Sequence, residues 1–97
     1  MGHNDTCSWD DNKREFNIAD KGYDFADVAE VFDERFCITR QDTRRDYGEL
    51  RYNMLVEFKD RVLNITFTPR MDKIHLISVR PASREERKVY HVKCNQR

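Results

Sequence analysis

Residues 51–80 contain three strand-like runs separated by polar breaks that are too short to hold a helix. The third run, 73–80, has apolar residues on both faces and is typical of a central strand. In the first two runs, apolar residues occupy every second position, which is the period of a half-buried strand; they are Tyr52, Met54, Val56 and Phe58, then Leu63, Ile65 and Phe67. Breaks this short join antiparallel neighbours, so the sequence predicts an antiparallel meander.

The segment before the meander has the caps and spacing of two helices. The first is predicted to begin near Ser8 to Asp10, where Ser8 and Asp11 approximate a capping box, and to end at Gly22. Asp24 is the predicted N-cap of a second, short helix. Each helix has an apolar stripe at helical spacing: Phe16 and Ala19 in the first, and Phe25, Val28, Ala29 and Phe32 in the second.

One more strand and a terminal helix complete the predicted fold. Residues 36–39 are expected to form a short strand, and after Pro81 a capping box of Ser83 and Glu86 begins a helix that extends to about Lys93. That helix is poor in apolar residues, so it docks weakly or is completed by a partner. The prediction is a single α+β domain over residues 1–97, with 1–7 disordered, two N-terminal helices, a four-stranded antiparallel sheet and a C-terminal helix.

The charges of the chain are distributed unevenly although the net charge is zero. Residues 1–50 hold 7 Lys/Arg against 13 Asp/Glu, whereas residues 51–97 hold 11 against 5. The basic half is suited to face phosphates, and the alternative is two solvated surfaces that partly neutralise each other. A free-standing nucleic-acid binder is disfavoured, because such domains carry a basic excess.

Composition excludes several other classes of protein. The three cysteines are widely spaced and predict free thiols in a reducing cytoplasm rather than a zinc or disulfide site. No apolar run is long enough to span a membrane, and no signal-peptide pattern opens the chain. Neither a glycine-rich phosphate loop nor a metal-binding motif is present, so we expect no cofactor and no metal.

Cationic residues at strand ends are the candidate catalytic groups. Arg51 and Arg70 are expected at the same edge of the meander, and Arg80 lies at the opposite end of its strand. Such side chains suit metal-independent RNA cleavage, because the 2′-hydroxyl supplies the nucleophile and an arginine stabilises the dianionic phosphorane. His75, in the middle of a strand, is a candidate acid or base, with a structural role as the alternative.

Two tyrosines are candidates for RNA binding. Tyr47 and Tyr90 can each stack on a base, although burial of the ring against the sheet is the commoner use of such a residue.

Five blocks in register, together with Arg51 and Tyr90, resemble the BrnT toxins of bacteria. The blocks extend over nearly the whole chain: WDDNKR (9–14), KGYDFAD (21–27), DTRRDYGE (42–49), FTPR (67–70) and ISVRPASREER (77–87). Arg51, Arg70 and Arg80 match recurring arginines of the family, which implies phosphate binding and transition-state stabilisation. Arg44 is a further RNA-binding candidate from these blocks.

Three positions differ from the family pattern. Lys21 occupies the place where members commonly have a histidine, and it is included as a candidate for proton transfer, which histidine performs more readily at neutral pH. His75 and Pro81 stand where basic residues are usual, which reduces the positive charge near the expected site.

The resemblance implies a fold, an activity and a partner. The fold is RelE-like, and the activity is that of a cytoplasmic, metal-independent endoribonuclease toxin of a type II toxin–antitoxin pair, which inhibits translation by cleaving RNA. The partner is a BrnA-like ribbon-helix-helix antitoxin that forms a hetero-oligomer with the toxin and supplies the only contact with DNA. The alternative is a non-enzymatic toxin of the same fold that binds a protein target, as ParE-like relatives do.

Overall fold

The computed structural model describes residues 2–3 and 5–96, which form six strands and three α-helices. In chain order the elements are β1 (Gly2–His3), β2 (Cys7–Trp9), α1 (Asp11–Lys21), α2 (Phe25–Val28) with a 3-10 turn (Ala29–Val31), β3 (Cys37–Gln41), β4 (Tyr52–Phe58), β5 (Arg61–Arg70), β6 (Lys73–Pro81) and α3 (Arg84–Asn95). Among these residues, no helix combines the length and apolar composition that crossing a membrane requires.

The strands form one mixed sheet in the order β1-β2-β6-β5-β4-β3, in which β2 and β6 are parallel and the other pairs are antiparallel. The predicted RelE-like α+β fold, with two N-terminal helices, a four-stranded antiparallel sheet and a C-terminal helix, is therefore wrong. The β2 strand was not predicted, because three residues are too few for an alternating pattern to be recognised. The strand forms because Cys7 and Trp9 are buried and the β6 edge needs hydrogen-bond partners; the Ile74 amide, for example, donates to the Thr6 carbonyl at 2.9 Å.

The helix caps differ from the prediction only at the first helix. Asp10, not Ser8, is the N-cap of α1, and its carboxylate accepts a hydrogen bond from the Lys13 amide at 3.1 Å. Gly22 ends α1 in the left-handed conformation with φ of 80°, which confirms the predicted C-cap. The cap at Asp24 and the capping box of α3 are also confirmed.

Helix α1 lies against the β6 edge with almost no apolar burial. The predicted stripe of Phe16 and Ala19 is exposed, with Phe16 70% accessible, and Asn17 is the buried residue of this helix. The Asn17 side chain accepts a hydrogen bond from the Val79 amide at 3.0 Å and donates to the Tyr23 carbonyl at 2.8 Å. An amide side chain therefore provides an acceptor for the part of the β6 edge that β2 does not reach.

Apolar side chains form a cluster on each face of the sheet. The larger one joins β2, α2 and the 3-10 turn to alternate residues of β4 and β5, such as Met54, Val56, Leu63 and Ile65. The smaller one packs Tyr90 of α3 against Leu55, Val62 and Ala82. Because this second cluster occupies only one end of its face, the rest of that face is left open beside α3.

Candidate functional site

The α3 side of the sheet has a cleft of about 530 Å³, which we call the polar cleft. Its floor is built of two neighbouring cross-strand rows from β4, β5 and β6: Asn53, Thr66 and Ser78 in one, and Leu55, Asn64 and Arg80 in the other. Its walls come from β3, the segment 42–44 and the first turns of α3, and they include Ile38, Arg40, Asp42, Arg44, Glu85, Glu86 and Val89.

A register shift in β6 aligns these two rows. Thr66 of β5 pairs with Ser78, but the next residue, Phe67, pairs with Leu76, so Ile77 is an extra residue that forms a bulge. The shift places Ser78 and Arg80 on the same face as Thr66 and Asn64.

Arg80 is held at the cleft by Glu86. Its two terminal nitrogens donate to the two Glu86 carboxylate oxygens at 2.8 and 3.0 Å, a bidentate geometry that fixes the guanidinium plane. Glu86 also accepts from the Asn64 amide at 2.7 Å and from the Ser83 backbone at 2.8 Å. The ion pair with Arg80 lowers the pKa of Glu86 to about 2. The hydrogen bonds from Ser83 and Asn64 lower it too, whereas burial opposes the shift, so Glu86 anchors Arg80 as a carboxylate at neutral pH. The Arg80 side chain remains 44% exposed and can reach a ligand.

A second ordered arginine lies on the opposite wall. Arg44 donates to both carboxylate oxygens of Asp42, at 2.9 and 2.8 Å, and the Tyr47 hydroxyl donates to the same carboxylate at 3.1 Å. These contacts, led by Arg44, hold the pKa of Asp42 well below its usual range. The Asp42 side chain is 2% exposed and that of Arg44 is 76% exposed, so a buried anion supports an exposed cation.

Arg51 and Arg70 converge at the end of β4 and β5, outside the lining of the polar cleft. Glu49 lies 3.8 Å from Arg51 and 3.3 Å from Arg70, and the Arg51 guanidinium lies 4.2 Å from the centre of the Tyr47 ring. We call these four residues the Glu49 cluster. The Arg51 Nε is buried without a hydrogen-bond partner among the described residues. The convergence of the two arginines follows from the hairpin geometry that the sequence predicts.

A family model described as the ribonuclease toxin BrnT of type II toxin–antitoxin systems matches residues 9–86. The chain belongs to the BrnT family. It is therefore a toxin of a type II toxin–antitoxin system, for which an antitoxin is the partner, and the predicted resemblance is confirmed. The match covers the whole floor of the polar cleft and the Glu49 cluster. A comparison with individually curated proteins gives no match.

His75 of this BrnT chain is buried beside the Glu49 cluster. Its Nδ1 lies 2.8 Å from the Ser8 hydroxyl, its cross-strand neighbour in β2. Burial lowers the pKa of His75, and the positive charge of Arg70 lowers it further against the opposing effect of Glu49, so the imidazole is neutral at pH 7. With 6% of its surface exposed, His75 has little access to a substrate in the cleft.

The two other sequence candidates lie apart from the cleft floor. Lys21 is exposed in the last turn of α1, 3.2 Å from Asp20, and it lines a shallow depression that Arg80 also borders. Tyr90 is buried in the α3 cluster with its ring 5.4 Å from that of Phe36, so it serves as a core residue here.

The uncharged residues that form the cleft floor were not among the predicted site residues. Asn53, Asn64, Thr66 and Ser78 lie at the strand positions between the apolar ones, where solvated side chains are expected. The signal that would have found them is their cross-strand alignment, since four hydrogen-bonding side chains on one face form a surface. Glu86 was predicted as a capping residue, and its contact with Arg80 was not.

Proposed function

We propose that this BrnT toxin is an endoribonuclease that cleaves RNA without a metal ion in the polar cleft, and so inhibits translation. The observation that carries the proposal is Arg80, a guanidinium fixed by a bidentate ion pair and still exposed in the cleft. Arg40 and Arg44 add positive charge on the same cleft. This arrangement suits an RNA backbone, because several cations attract its phosphates into the cleft and one oriented guanidinium can hold the scissile phosphate.

The expected reaction is an internal transesterification. The 2′-hydroxyl oxygen attacks the adjacent phosphorus and loses its proton, the bond to the 5′-oxygen breaks, and that oxygen gains a proton. The products are a 2′,3′-cyclic phosphate and a 5′-hydroxyl end. Charge builds on the phosphoryl oxygens in the transition state, where a preorganised guanidinium is most effective.

Proton transfer contributes less in this site than charge stabilisation. Glu86 is ionised and occupied by Arg80, and His75 is buried outside the cleft. Among the described residues, no three His, Cys, Asp or Glu side chains are grouped to hold a metal ion. We therefore expect a modest rate that depends on the arginines.

The test is incubation of the purified protein with total RNA in EDTA, with the products resolved on a denaturing gel. Arg80→Ala should reduce the rate about 100-fold, the usual effect of losing one preorganised donor. Arg61→Ala is the matched control, because Arg61 is an exposed arginine of β5 that lies outside the cleft lining. Mass spectrometry should find the cyclic phosphate ends.

Uncut RNA with folded wild-type protein would contradict the proposal and favour the alternative, a toxin that binds a protein target. One observation supports that alternative. Arg51, Arg70 and Arg80 each contact a glutamate, so their charge is already partly neutralised.

We also propose that a cognate BrnA-like ribbon-helix-helix antitoxin silences the toxin by covering the cleft and α3. Val89 and Val92 are exposed on this helix, at 37% and 55%, beside the cleft that the antitoxin must close. In the resulting hetero-oligomer, contact with DNA comes through the antitoxin alone.

A further inference from the structure

The floor of the polar cleft contains a row of uncharged side chains. Phosphate binding alone does not require such a row, because the charged side chains around it would suffice. Asn53, Thr66 and Ser78 lie side by side on three adjacent strands and are each partly exposed. Arg40 continues the row on β3 as the cross-strand neighbour of Asn53, and Arg44 and Arg80 line the cleft beside it. Three uncharged hydrogen-bonding side chains are therefore flanked by cations within one cleft.

The row is ordered by a hydrogen bond within it. The Thr66 hydroxyl donates to the Asn53 carbonyl oxygen at 2.8 Å, which fixes the orientation of the amide. The Asn53 amino group keeps two donors, and the Thr66 oxygen keeps lone pairs that accept. A fixed donor beside a fixed acceptor complements the edge of a nucleobase, where both kinds of group alternate.

Its spacing from Arg80 suits a single nucleotide. Ser78 and Arg80 are two residues apart on β6, and at about 3.3 Å per residue they are separated by roughly 7 Å. A base on the row would therefore have its own phosphate within reach of the Arg80 guanidinium. The cleft volume of about 530 Å³ lies within the usual range for small-ligand pockets.

We infer that Asn53, Thr66 and Ser78 form a base-recognition subsite that gives the toxin a sequence preference in single-stranded RNA. The inference rests on the proposed ribonuclease function and names the part of the substrate that selects the cleavage site. Single-stranded RNA is the substrate class because an unpaired base offers its Watson–Crick edge to such a row, whereas pairing occupies that edge in a duplex.

Binding measurements test the subsite without cleavage. The probes are fluorescein-labelled 2′-fluoro decamers of A, C, G and U, which lack the 2′-hydroxyl nucleophile, and anisotropy reports their affinities. The wild type should favour one base by about tenfold, in line with the discrimination that good base contacts provide. The Asn53→Ala/Thr66→Val variant should bind all four decamers within about twofold of each other.

Three further variants separate base contacts from charge and from stability. Arg44→Ala should weaken all four decamers by a similar factor. Thr39→Val is the matched control and should keep the preference, because Thr39 pairs with Met54 on the opposite face of the sheet. Should the double variant unfold, Thr66→Val alone, with its similar shape, should still reduce the preference.

Equal affinity of the wild type for all four decamers, no binding to any of them, or a preference that survives in the folded double variant would each overturn the inference. A base preference in binding combined with uncut total RNA would contradict the ribonuclease function alone. The two proposals therefore fail on different readouts.

Discussion

At the scale of single residues, each candidate arginine of this chain is paired with an acidic side chain. Glu86 holds Arg80, Asp42 holds Arg44, and Glu49 lies between Arg51 and Arg70. Each carboxylate reduces the entropy that an arginine loses on binding a ligand, and each also offsets part of the charge that attracts phosphate. A paired arginine is thus better oriented than a free one, but it attracts phosphate less strongly.

Glu86→Gln separates these two effects. The glutamine keeps the capping box, since Gln serves at this position, but it removes the charge that anchors Arg80. We expect kcat to fall about tenfold because the guanidinium loses its fixed orientation. KM should also fall, since the charge of Arg80 is no longer neutralised. Cleavage of a defined oligonucleotide under single- and multiple-turnover conditions measures both constants.

The matched control for this prediction is Glu85→Gln, which removes the same charge from the same cleft wall and leaves the Arg80 ion pair intact. A lower KM in both variants would show a general charge effect. Unchanged kcat in Glu86→Gln would mean that Arg80 needs no anchor.

At the scale of elements, the sequence predicts those whose pattern is long. The seven residues of β4 and the ten of β5 show a clear period of two, β6 is a longer run that is apolar on both faces, and the capping box of α3 identifies its first turn. The three-residue β2 has no readable period, and Asp10 competes with Ser8 as a cap two positions away. The convergence of Arg51 and Arg70 follows from a hairpin, but the contacts with Glu49 and Glu86 depend on loop and helix docking that local patterns do not encode.

Helix α3 is the element on which we expect the antitoxin to act. Of its residues only Tyr90 is fully buried, so the helix depends on one small cluster for its docking. A partner that covers Val89 and Val92 should slow backbone exchange in residues 84–95 and in the cleft strands of residues 51–81. Hydrogen exchange with and without the purified antitoxin measures this.

The α1 amides provide the internal comparison, because that helix contacts the edge of β6 that faces away from β5 and lies outside the polar cleft. Protection confined to α1, or unchanged exchange in residues 51–93, would place the antitoxin elsewhere.

At the scale of the whole molecule, the acidic and basic halves of the sequence do not form two faces joined by ion pairs. Most ion pairs among the described residues are local in sequence, such as Arg14 with Asp24 and Arg80 with Glu86. Glu49 joins the two halves through Arg51 and Arg70. The local pairs lower the pKa values of several carboxylates, so the charge pattern affects how stability depends on pH.

Acid should destabilise this protein in two stages, because every group concerned has a lowered pKa in the folded state. His75 contributes stability above its ordinary pKa of 6.5, and this contribution is lost as the pH falls through its lower folded value. Glu86 and Asp33 follow, since their contribution disappears between their ordinary values of 4.5 and 3.8 and their folded values of about 2. Urea unfolding at pH 7.5, 5.5 and 3.5 measures the free energy of unfolding across the first stage and into the second.

Removal of the buried imidazole should abolish the first stage alone. In His75→Gln the free energy of unfolding should be lower than in the wild type at pH 7.5, because the contact with Ser8 is altered, and it should change less between pH 7.5 and 5.5. His91→Gln is the control, since His91 is exposed on α3, and its pH profile should match that of the wild type. An identical pH profile in His75→Gln and the wild type would show that His75 is not the group whose protonation opposes folding. The buried histidine would then have the same proton affinity in the folded and the unfolded state, which requires the effects of burial and of Arg70 on its pKa to be cancelled by the opposing effect of Glu49.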